Sequence, residues 1–185
     1  PKARELRDRI AESTYKAGHH TTIQHPTFQF VLKKVSRQFI WSFLHQHPFY
    51  NSEQVSQRYV KVRKGRYTIP PLPSDAAREL FQETAAKQTA AYRRLIVLLK
   101  EPIAEEYFKI YPARRRRREK WEKAIDKRVY EAARYVLPLA THAHLYHTVS
   151  GLTLHRYRRL VEIYDCPAEQ RAVVGAMVEL VERIS

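Results

Sequence analysis

One cysteine, Cys166, is all the sequence holds among 185 residues. A lone thiol excludes an intrachain disulfide, a CxxC redox pair and a cysteine-built zinc site. With Asp165 before it and Pro167 behind, it has no basic neighbour to activate it and reads as structural. Glycine is nearly as scarce: four residues, and no GxGxxG or Walker pattern to cradle a phosphate in a flexible loop. No apolar run approaches the roughly 20 residues that cross a bilayer, and no signal peptide is recognisable. The expectation is a reducing, cytoplasmic setting without a membrane. No GxSxG elbow surrounds Ser56, which argues against a serine hydrolase.

Positive charge is what the sequence has in excess. Thirty-four lysines and arginines against 19 acidic residues give a net +15, which attracts polyanions: nucleotides, phosphates, nucleic acid or acidic membrane. Eight of the nine histidines fall into three groups, His19/His20/His25, His45/His47 and His142/His144/His147. No HExxH or histidine–carboxylate spacing accompanies them, so they are read as core, interface or ligand-binding side chains, with no metal. Hydrophobic content of 44% and the length suit one domain over 1–185. Pro1 rather than Met opens it, as a piece of a longer polypeptide would.

Periodicity predicts a surface helix over Glu5–Ala17 with Leu6, Ile10 and Tyr15 inward, and a strand at Phe28–Leu32. Ser36 then caps a helix whose Phe39, Ile40, Phe43 and Leu44 share one face, ending at Pro48. A second strand is predicted at Ser56–Arg63, turning through Lys64-Gly65-Arg66 into a hairpin with Tyr67-Thr68-Ile69. Ser74 caps a long helix to about Lys100, with Leu80 in its buried stripe, and a separate piece Ile103–Tyr111 follows Pro102. Arg114–Arg118 reads as a solvated charged loop or helix start, because like charges repel and no aromatic neighbour is seen to pin them. A helix at Glu119–Tyr135, an extended Ala140–Val149 and helices Leu152–Tyr164 and Ala168–Ile184 complete the chain. The last should bury Val173, Met177, Leu180, Val181 and Ile184. The fold class is α+β: a small, mainly antiparallel sheet packed with several helices.

Three segments carry a resemblance. Gly18-His19 with Thr21 and His25 precedes the phenylalanine-rich strand. Val35-Ser36-Arg37 leads through a polar loop to Ser56-Gln57-Arg58-Tyr59-Val60. Ala133-Arg134-Tyr135-Val136-Leu137-Pro138 is followed by Thr148-Val149 and a helix. In this order they resemble the flavin-dependent thymidylate synthases (the ThyX family), whose signature R-H-R-x-x-S-x-N-E-x-S-x-R-Y ends as Ser56–Tyr59 does. The resemblance implies a ThyX-like fold, a homotetramer and reductive methylation of dUMP to dTMP by FAD, with NADPH and methylenetetrahydrofolate as co-substrates and no enzyme cysteine. It implies Ser56 and Arg58 as catalytic residues. Gln54, Ser56, Gln57, Arg58 and Arg134 would bind the nucleotide, and His19, Thr21, His45, Gln46, His47, Ser150 and Arg156 the flavin. The sequence departs from the pattern where His45-Gln46-His47 stands for Arg-His-Arg, Ser150 for an asparagine and Leu152 for an arginine, and the polar loop is one residue longer. Two permanent charges become imidazoles, whose charge depends on pH. Two readings follow: a divergent flavin-dependent methyltransferase, or a catalytically degenerate scaffold that serves as a nucleotide- or nucleic-acid-binding or assembly module.

Overall fold

A computed structural model describes residues 2–46, 50–63 and 65–184. In chain order the elements are α1 (Lys2–Lys16), β1 (Thr27–Ser36), α2 (Arg37–Leu44), β2 (Asn51–Gln54), α3 (Asp75–Ile110), α4 (Glu122–Ala133), β3 (His142–Ser150), α5 (Gly151–Ile163) and α6 (Ala168–Glu182), with 3-10 turns at His20–Gln24, Pro112–Trp121 and Arg134–Val136. The strands form one antiparallel sheet in the order β1-β3-β2, and the fold is α+β. His47, Pro48 and Lys64, each used in the sequence reading, lie outside the described residues. The chain divides into two compact units: residues 1–33, 39–53 and 144–185 form the first, and residues 34–38 and 54–143 the second.

In the first unit, α2 delivers Phe39, Ile40 and Phe43 to a core that also holds Leu145, Val149, Leu154, Tyr157, Val174 and Met177. Phe43 is its hub. Its ring lies 4.8 Å from Phe39, 4.7 Å from Tyr157 and 5.1 Å from His147. Two predicted faces are corrected here. Leu6 and Ile10 are about half exposed, and α1 buries no residue, its Tyr15 instead stacking on His20 and meeting His155 edge-on. The buried face of α6 is Gln170, Val174 and Met177, with Leu180 and Ile184 exposed. Gln170 is polar, so apolar periodicity alone could not find that face.

The second unit is built on α3 and α4, which bury Ala104, Tyr107, Phe108, Ile125 and Val129 between flanking Leu99, Ile103 and Trp121. Ser74 caps α3, its hydroxyl accepting from the Ala77 N–H at 3.2 Å. Pro102 does not split this helix, which runs unbroken from Asp75 to Ile110. The packing of Leu99, Ile103, Ala104 and Tyr107 on both sides of the proline outweighs the one backbone bond it removes. Leu80, expected inside, is exposed.

The predicted strand at Ser56–Arg63 is absent. Its N–H groups are taken locally: the Ser56 hydroxyl accepts from Arg58 at 3.3 Å, the Ser56 carbonyl accepts from Tyr59 and Val60, and the Tyr92 hydroxyl accepts from Val62 at 3.4 Å. Side-chain capture of the backbone competes with a ladder, and here it wins. Tyr67 bridges Thr141 instead, with Thr68 donating to the Ala140 carbonyl and His142 to that of Arg66. The arginine run is also corrected: Pro112–Trp121 is a 3-10 segment, and three rings surround Arg114.

Candidate functional site

The described residues assigned to the flavin fall in the first unit, and those assigned to the nucleotide fall in the second. Each group has its own geometry.

In the first unit, an open cleft of about 450 Å³ is lined by Gln24, Thr27, Tyr50, Asn51, Ser150 and Arg156, among others. Its floor begins at the N-terminus of α5, where the Ser150 hydroxyl accepts from the Thr153 N–H at 3.2 Å. Helix N-termini favour anions because their first N–H groups lack intrahelical acceptors. Gly151 lets that terminus approach the 3-10 turn: a Cβ there would sit 3.0 Å from the Ile23 carbonyl oxygen, and its N–H already donates to Pro26 at 2.8 Å. The Arg156 guanidinium meets no carboxylate among the described residues. A helix terminus, a free cation, hydroxyls and amides form a donor set suited to a diphosphate or a polyhydroxyl chain.

The opposite wall is held from behind by His147, which is fully buried. The Ser52 hydroxyl donates to the Tyr146 carbonyl at 3.0 Å, so its hydrogen is committed. His147 Nδ1 therefore donates to Ser52 Oγ at 3.4 Å, and its Nε2 accepts from the Tyr157 hydroxyl at 3.3 Å. Burial pushes the imidazole down to about 4 and the Tyr157 phenol up. The ring is a neutral clamp between β2, next to cleft residues Tyr50 and Asn51, and α5, which carries Thr153 and Arg156.

Of the predicted flavin residues, Ser150 and Arg156 come together in this cleft. His19 and Thr21 lie at the 3-10 turn that supplies Gln24, where the His19 carbonyl accepts the Thr22 hydroxyl at 3.3 Å. His45 and Gln46 do not line the cleft. His45 stacks on Trp41 with ring centroids 4.3 Å apart and donates through Nδ1 to the Trp41 carbonyl at 2.6 Å. The Gln46 amide oxygen accepts from buried Gln170. Gln24, Thr27, Tyr50 and Thr153 carry no motif signal in the sequence, and Asn51 lies in the polar loop.

In the second unit, Arg37 and Arg134 lie close enough that the charge of Arg134, after burial, pushes the Arg37 guanidinium down. Both are partly buried, and neither meets a carboxylate among the described residues. Arg37 donates to the Gln54 amide oxygen at 2.5 Å. Arg134 lies against the Tyr135 ring at 5.5 Å. Arg58 is fixed by the Ser56 turn and makes a long, half-exposed ion pair with Glu131 at 3.6 Å. The Gln57 amide nitrogen is buried without an acceptor among the described residues. Arg37 was the residue missed. Its signal is Gln54, whose neutral amide rather than a carboxylate holds it in place and leaves its charge available.

No group of three histidine, cysteine or acidic residues among the described residues is arranged to hold a metal ion, and no described helix is long and apolar enough to cross a membrane. Residues 2–185 match the sequence model of the family described as thymidylate synthase complementing protein. The chain is 33% identical over 173 residues to a flavin-dependent thymidylate synthase of Clostridium tetani, covering 91% of this chain and 63% of that protein. It is 30% identical over 126 residues to one of Mycobacterium bovis, covering 67% and 45%, and 30% identical over 132 residues to one of Corynebacterium diphtheriae, covering 70% and 47%. It thus spans between about half and two thirds of the length of these relatives. With a family match across 2–185 and relatives at 30–33% identity, the chain belongs to the thymidylate synthase complementing protein family, that of the flavin-dependent thymidylate synthases.

Proposed function

We propose that the chain carries out flavin-dependent conversion of dUMP to dTMP, with methylenetetrahydrofolate as one-carbon donor and NADPH as reductant, in a cytoplasmic homotetramer. The observation that supports it most is that Arg37 and Arg134, both partly buried in the second unit, meet no carboxylate among the described residues, Arg37 being held by the neutral Gln54 amide. Such a pair repels itself and is relieved by a dianion such as a nucleotide phosphate. Arg58 takes a further phosphate oxygen once it leaves Glu131, and the orphan Gln57 amide donates to a pyrimidine carbonyl. Ser56 acts through the turn that orients Arg58.

The donor set of the cleft fits a flavin dinucleotide in part: Arg156 and the α5 terminus suit its diphosphate, Ser150, Thr153 and Thr27 its hydroxyl-bearing chain. The bound flavin would supply the hydride. The chain's residues hold the reactants, orient them and offset phosphate charge, which is how such enzymes gain most of their rate.

One observation favours the second reading, a scaffold that binds nucleotide without turnover. His45 stands where the family carries an arginine and Gln46 where it carries a histidine, and both side chains are hydrogen-bonded within the chain, to the Trp41 carbonyl and to Gln170. Incubation with dUMP, FAD, NADPH and methylenetetrahydrofolate decides between them. The first reading predicts dTMP that disappears when any one component is omitted. Calorimetric dUMP binding with no dTMP under all conditions would replace it with the second.

A further inference from the structure

Nearly half of the net charge sits in one short segment. Residues 112–128 hold nine lysines and arginines against three acidic residues, a net +6 of the chain's +15. Four of the acidic residues nearby are already engaged, and Glu119, alone of the segment's acidic residues, makes no ion pair among the described residues. Glu105 pairs with Arg115 at 2.6 Å, Glu101 and Glu122 with Arg118 at 2.5 and 3.2 Å, and Glu122 and Asp126 with Lys100. Arg116, Arg117, Lys120 and Lys123 are exposed and have no ion pair among the described residues.

The backbone that presents them is fixed from within. The Arg114 guanidinium lies 4.1 Å from the Tyr111 ring centroid and 4.0 Å from that of Trp121, and donates to the Tyr107 hydroxyl at 2.6 Å. Tyr107 belongs to the α3–α4 core, and Tyr111 and Trp121 pack against it. The cations are thus displayed on an ordered turn rather than a floppy tail, which lowers the entropy lost on binding.

We propose that this arginine-rich turn is a sequence-independent nucleic-acid surface that grips the phosphate backbone of a duplex. Its chemistry separates nucleic acid from other polyanions. Between Pro112 and Lys120 no exposed large hydrophobic side chain is present, so an acidic bilayer finds no apolar face to take in. The rings that could anchor a protein partner or stack on unpaired bases are occupied by Arg114. What remains is point charge, and counterion release from a duplex supplies affinity to point charge alone.

The test is fluorescence anisotropy of a labelled, mixed-sequence DNA duplex across a salt series, on the full chain and on the double variant R116A/R117A. Four phosphate contacts give a log–log salt slope of about −3.6, and the double variant flattens it by about 2. Its thermal midpoint stays unchanged, because neither side chain has a partner among the described residues. A slope that the variant leaves unaltered, or no duplex binding at about 50 mM salt, overturns the proposal. So does an unpaired strand held more tightly than the duplex, or binding confined to anionic vesicles. Excess dUMP does not displace the duplex; displacement would put the nucleic acid on the Arg37–Arg134 cluster instead and refute the turn without touching the nucleotide reading.

Discussion

Arg58→Ala will weaken dUMP binding roughly 10- to 100-fold and leave the fold nearly as stable as before. Loss of a charge-assisted hydrogen bond costs about 1.5–3 kcal/mol, and each 1.4 kcal/mol is about tenfold in affinity. The side chain's only ion pair among the described residues, with Glu131, is long and half exposed, and such pairs contribute about 0–1 kcal/mol to stability. The converse change sharpens the test. Glu131→Gln releases Arg58 from its counter-charge and should tighten dUMP binding rather than loosen it. Arg37→Ala differs from both, because it removes a half-buried guanidinium bonded to Gln54 and should lower affinity and thermal stability together. Calorimetric titration of the three variants reads the pattern. An unchanged dUMP affinity in Arg58→Ala would remove Arg58 from the phosphate site.

Stability should fall as pH drops below about 6.5, the ordinary value for histidine, with His147 as a main cause. Burial holds this imidazole near 4, so between the two values the unfolded chain binds a proton that the folded one refuses. Where the unfolded state binds more protons, stability rises with pH. The contribution is therefore complete above about 6.5 and is lost as pH falls toward 4, and by pH 5 the loss is about 2 kcal/mol. The geometry agrees: protonated Nε2 would face the Tyr157 hydroxyl as a second donor, while Nδ1 is already committed to Ser52. His147→Gln cannot titrate, so its denaturation midpoints at pH 7.5 and 5 should differ less than those of the unmodified chain. It should also bind FAD more weakly, since the wall carrying Tyr50 and Asn51 loses its support. Equal pH dependence in the two proteins would assign the acid sensitivity elsewhere.

How much of this could be read from the residues alone depends on whether each signal was local. The helices were legible because their apolar spacing and caps are local: Phe39, Ile40 and Phe43 are buried as their spacing required, and Ser74 caps α3. The strand read into Ser56–Arg63 failed because Val60 and Val62 alternate with cations while Ser56 and Tyr92 take the backbone N–H groups first. Alternation shows a pattern; it does not show who takes the hydrogen bonds. The arginine run failed for a related reason. Tyr111 and Trp121 stand three and seven residues from Arg114, near enough in sequence, but only the 3-10 path and the α3–α4 pairing bring both rings onto one guanidinium. The candidate sites were legible in part. Motif order led to Ser150, Arg156, Arg58 and Arg134, whereas Arg37 and the cleft residues Gln24, Thr27 and Tyr50 needed distant segments to meet.

The cleft beside α5 still takes a flavin although the exposed His45 and Gln46 do not line it. Its most direct test is the visible absorption spectrum of the full chain after equilibration with FAD and removal of the free cofactor. The account predicts a flavin band that travels with the protein and is lost or sharply reduced in Arg156→Ala, while dUMP binding by that variant is unchanged. A colourless protein, or a band indifferent to Arg156, would contradict it.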